Sequence, residues 1–151
     1  MTRHNGVPVV AMLLASLIVM MSLATVSAQT TLSTSLSGDE EVPGPGDKNG
    51  KGWVTLAVEP ETGTICYEGK VQAIGRQLTG AHIHVGAFGV AGDVVVDLDP
   101  FGADVTGNKA THCVTTTPAI AAQILATPAN YYVNVHTTAY PAGAIRGQLG
   151  D

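Results

Sequence analysis

Charge is what this sequence has least of. Only 13% of its 151 residues are Asp, Glu, Lys or Arg, about half the share of an average soluble domain. Basic residues are the scarcer part, 7 against 12 acidic ones for a net charge of -5. Without a basic patch to neutralise phosphates, nucleic acid is excluded as a partner. Also missing are a Ser-His-Asp spacing, a nucleophile elbow and a phosphate-binding glycine loop. Asp93, Asp97 and Asp99 come near a calcium loop but lack its Asp-x-Asp-x-Asp-Gly order and closing Glu. They read as solvated loop acids. The length suits one domain.

The hydrophobic residues, 45% of the chain, are unevenly spread. Val7, Val9, Val10, Met12 to Leu14, Leu17 to Met21 and Leu23 follow a short basic start at Arg3 and lead into Val26-Ser27-Ala28. Small residues at Ala28 and two positions earlier predict a signal peptide over residues 1–28, cut before Gln29. A retained membrane anchor is the competing reading, since about 20 apolar residues can span a bilayer. No Cys stands at the cleavage point for a lipid anchor. Cleavage leaves residues 29–151 as one domain with four histidines and no methionine, since all four Met lie in the leader. No later run is long enough to span a membrane, so the expectation is a secreted or periplasmic protein with no membrane contact after cleavage.

Cys66 and Cys113 are the only cysteines. An even number in an exported chain predicts a disulfide. Cysteine metal ligation or two buried thiols is the alternative. Short alternating runs at 31–37, 52–58, 64–74, 81–85, 92–98, 110–114, 131–137 and 144–149 are separated by Gly, Pro and Asx turns, and they read as strands. Thr117 before Pro118, with Ile120, Ile124 and Leu125 at helical spacing and Thr127-Pro128 as a stop, predicts one short helix. The fold class is therefore all-β with one short helix. Strand number and connection lengths suit a Greek-key antiparallel β-sandwich or a flattened barrel.

Gly80-Ala81-His82-Ile83-His84-Val85-Gly86 is the most informative segment. Alternation puts Ala81, Ile83 and Val85 on the core face, so His82 and His84 project together from the other. In Tyr131 to His136, Tyr131, Val133 and Val135 face the core, while Tyr132, Asn134 and His136 share the opposite side. If the two strands are neighbours, His82, His84 and His136 meet on one outer surface, with His112 as a further contributor. His-x-His is equally the pattern of structural histidines bonded to backbone. Ring nitrogens within about 3–4 Å of one another suit one ion, and separations beyond roughly 8 Å suit structural roles. Imidazoles without a carboxylate favour copper(I/II), with zinc second. Arg146 is expected to flank this surface, as an anion or partner contact or paired with Glu40, Glu41, Asp93 or Asp97.

The chain resembles the CHRD domain. The resemblance rests on Leu36-Ser37-Gly38-Asp39-Glu40-Glu41-Val42-Pro43, Cys66-Tyr67, Gly80 to Gly86, Asn130 to Thr137 and Pro141 to Leu149, and runs from about Leu32 to Leu149. It implies an immunoglobulin-like or superoxide-dismutase-like sandwich with no settled catalytic activity. Gly143-Ala144 stands where the family usually has Gly-Glu, which leaves the partner of Arg146 open. The His-x-His strand is also similar to that of copper–zinc superoxide dismutase, whose dinuclear site needs more histidines than the four of the mature chain. The expected function is a non-catalytic binding or structural module with a histidine site for a metal ion. The alternative is a mononuclear copper protein serving storage or redox chemistry. The expected partner is a small ligand, a metal ion or an envelope or extracellular protein.

Overall fold

In a computed structural model, residues 1–2, 29–74, 78–98, 105–106 and 109–150 are described. The leader expected over 1–28 and the acid Asp99 lie outside them, Met1 and Thr2 excepted. The strands are β1 (Thr30–Ser37), β2 (Lys51–Glu59), β3 (Thr64–Gln72), β4 (Leu78–Val85), β5 (Val94–Asp97), β6 (Val105–Thr106), β7 (Lys109–Thr115), β8 (Tyr131–Thr137) and β9 (Ile145–Gln148). They form one sheet in the order β5-β4-β8-β9-β1-β2-β3-β7-β6, and every pairing among the described residues is antiparallel. The protein is thus mostly antiparallel β with one helix, α1 (Pro118–Ala126).

Two local devices set the elements. Glu59 to Gly63 reverses the chain between β2 and β3, and Gly63 (φ 72°) takes the left-handed conformation the turn needs. A Cβ there would also meet the Thr116 carbonyl oxygen at 2.2 Å. The helix starts as its sequence predicts, with Thr117 Oγ1 accepting from the Ile120 amide at 3.2 Å.

The alternating apolar positions meet in one core. Leu36, Val54, Leu56, Val58, Ile65 and Tyr67 come from β1 to β3, and Ala81, Ile83, Val96, Val133, Val135 and Ile145 from β4, β5, β8 and β9. Ala121 and Ile124 of α1 join them. Inner faces from both ends of the sheet therefore enclose the same apolar interior, and β9 links the two halves by pairing with both β8 and β1.

Alternation over 92–98 puts Val94 inward with Val96 and Leu98, and over 64–74 it puts Ala73 on the face of Ile65, Tyr67 and Val71; these two and Val85 differ. Val94 is 50% exposed, because the register shifts between Ile83 and His84. This bulge sets Val94 opposite His84 and turns it to the outer face. Val85, at the end of β4, is 39% exposed. Ala73 follows the last residue of β3 and is exposed, with φ 58°.

Cys66 and Cys113 sit directly opposite each other on β3 and β7 and are disulfide-bonded. The bond fits an oxidising compartment.

Candidate metal centre

Strands β4 and β8 are neighbours, with His82 opposite Asn134, His84 opposite Tyr132 and Gly80 opposite His136. Strict alternation on both strands then brings His82, His84 and His136 to one face. Ring centroids are 4.9 Å apart for His82 and His136, 5.6 Å for His82 and His84, and 6.0 Å for His84 and His136. One ligand nitrogen from each lies within 4.8 Å of the others. An ion bound at about 2.0–2.1 Å holds its nitrogens roughly 3.3–3.6 Å apart. A pair at 4.8 Å is wider than the expected span of about 3–4 Å, though far below roughly 8 Å, and closes by roughly 1.2–1.5 Å on an ion.

Hydrogen bonding selects the nitrogens. His84 Nδ1 is 2.9 Å from the Gly92 carbonyl oxygen, and His136 Nδ1 is 3.2 Å from that of Pro141. A carbonyl only accepts, so each Nδ1 carries the proton and each Nε2 keeps its lone pair. Those two Nε2 atoms, with His82 Nδ1, are buried and have no hydrogen-bond partner. A backbone carbonyl holding the far nitrogen is the usual outer partner of a metal-bound imidazole. Burial pushes the pKa of both His84 and His136 down, so both rings are held in the neutral form that binds metals.

The face expected to be solvent-exposed is covered. His84 is 8% exposed, Tyr132 2%, Asn134 3% and Arg146 1%. The covering segment is the loop between β4 and β5. Arg146 donates to its Val90 and Ala87 carbonyls at 2.9 and 3.0 Å, and to Gln148 Oε1 at 3.0 Å. The Tyr132 hydroxyl accepts from the Gly92 amide at 3.1 Å. The Tyr132 ring stacks on His84 at 4.9 Å and 12°, and the Arg146 guanidinium lies 3.5 Å from the centroid of that same ring.

Arg146, expected as an anion or partner contact, thus spends its donors on the protein's own carbonyls. Of the carboxylates offered as its partner, Glu41 and Glu40 act on it through charge. Glu41 is 5% exposed and accepts from Asn134 Nδ2 at 3.2 Å. Burial raises its pKa to about 7 against the lowering pull of Asn134, Arg146 and the Val42 amide. Asn134 connects this carboxyl to the strand carrying His136. Gly143 (φ 149°) makes room for the pair, since a Cβ there would meet Glu41 Oε2 at 2.3 Å.

His112 is elsewhere. It lies on β7 opposite Tyr67 of β3, with the rings edge-on at 6.4 Å, five strands away from β8 in the sheet order. Sequence reasoning missed the loop that roofs the histidines. A signal was present in Tyr132, Asn134, Arg146 and Gln148, which carry only one charge among them on a supposedly wet face.

An antiparallel β module with a roofed histidine cluster beside a buried arginine is the class that fold and site define. The chain belongs to the CHRD-domain family, whose model matches residues 32–149. No curated protein and no solved structure gives a significant match.

Proposed function

We propose that this protein is an exported CHRD module that binds one transition-metal ion, copper before zinc, on His82, His84 and His136, without catalytic turnover. The observation that carries this reading is a cluster in which one ring nitrogen of each histidine lies within 4.8 Å of the others, and in which His82 Nδ1, His84 Nε2 and His136 Nε2 are buried without a hydrogen-bond partner. A structural histidine satisfies its polar atoms, and three buried ring nitrogens left without partners cost free energy unless a cation takes them. CHRD membership supports a binding module. Export is supported by the disulfide, and removal of residues 1–28 before Gln29 by the leader pattern. The Greek-key sandwich is supported by the shared core between the two halves of the sheet, although all strands hydrogen-bond into one ladder.

The test is titration of the metal-free protein with Cu(II), Cu(I) and Zn(II), beside a His82→Ala/His84→Ala variant. One equivalent bound below micromolar concentration by the wild type, and lost in the variant, is expected. No such binding by the wild type ends the metal reading, and full retention in the variant moves the site elsewhere.

A further inference from the structure

The surroundings of the cluster decide how much charge it tolerates. All three donors are neutral imidazoles, so no ligand cancels the charge of an incoming ion. The donor nitrogens are buried, and the cost of stripping an ion of water grows with the square of its charge. Arg146 then adds a permanent cation, one aromatic ring removed from His84. Its Nη1 and Nη2 groups donate to Ala87, Val90 and Gln148, all neutral acceptors, and Glu41 and Glu40 offset part of its charge. Asp97, opposite His82, and Asp93, beside His84, are exposed at the rim, where water screens them.

Coordination number points the same way. Zinc(II) takes a fourth ligand and copper(II) prefers a tetragonal set, whereas a closed-shell monovalent ion is content with three nitrogens. Sulfur does not intervene, because every methionine precedes residue 29 and both cysteines are in the disulfide.

Resting on the metal reading above, we propose that the His82–His84–His136 cluster selects copper(I) over copper(II) and zinc(II), through three uncharged buried donors set beside the fixed cation of Arg146.

The experiment uses the disulfide-intact chain under anaerobic conditions. Copper(I) is held reduced by ascorbate, which leaves the disulfide closed, and is competed against a chromogenic copper(I) chelator. Copper(II) and zinc(II) are titrated separately against chelators of known affinity. Copper(I) is expected at one equivalent and at least about tenfold tighter than either divalent ion, the size of effect that one extra unit charge near Arg146 produces at partly screened distances. A divalent ion bound as tightly as copper(I), and lost in His82→Ala/His84→Ala, overturns the selectivity and leaves the metal site standing. Failure of all three ions to bind overturns both.

Discussion

Glu41 sits where ionisation is costly. Its carboxyl is buried, with a pKa raised from 4.5 to about 7. A raised acid binds its proton more tightly in the folded than in the unfolded chain. Its contribution to stability is therefore full below about pH 4.5 and is lost as the pH rises towards 7. Glu41→Gln removes that loss. The stability of the variant relative to wild type, measured by urea unfolding, should rise between pH 4.5 and 7 and level off above. A difference that stays flat across this range contradicts the buried acid. Glu41 was legible only as one of several candidates for Arg146, because it reaches Asn134 across 93 residues of sequence. The histidines were easier, since a strand's period of two fixes which residues share a face once neighbouring strands are known.

At the scale of the element, the β4–β5 loop and its clamp matter most. Arg146→Lys keeps the charge but loses the planar fork that holds Ala87 and Val90. The substitution should cost about 1–3 kcal/mol for the carbonyl left without a donor. It should also speed hydrogen exchange at the Gly92 amide, while amides of β2 and β3 stay protected. Equal loss of protection throughout would mean that Arg146 supports the whole fold and not the loop. Thr117→Ala removes the cap of α1 and should cost about 1 kcal/mol by thermal or urea unfolding. The helix and its cap were readable because capping is local chemistry. The bulge that turned Val94 outward was not, because a register shift depends on the partner strand.

For the whole molecule, the Cys66–Cys113 bond closes a loop with a sequence separation of 47. In the chain-entropy model its reduction should lower stability by roughly 4 kcal/mol, readable as a lower urea midpoint in the presence of reductant. An unchanged midpoint would show that the pairing of β3 with β7 already restrains the unfolded chain. Metal binding is coupled to the global fold in the same way. At about a hundred times the dissociation constant, a bound ion should add roughly 2.7 kcal/mol to unfolding, with no gain in His82→Ala/His84→Ala.

By itself the sequence determined the antiparallel β class, the disulfide, the capped helix, the common face of His82 and His84, and the placing of His136 opposite the core side of its own strand. These follow from short-range rules: alternation, turn chemistry, capping and cysteine count. Tertiary structure alone decided that the histidine face is roofed, that Arg146 turns inward to backbone carbonyls, and that His112 stands apart. Those outcomes depend on which strands become neighbours and which loop folds over them, and burying the carbonyls of that loop requires donors supplied by residues distant in the chain.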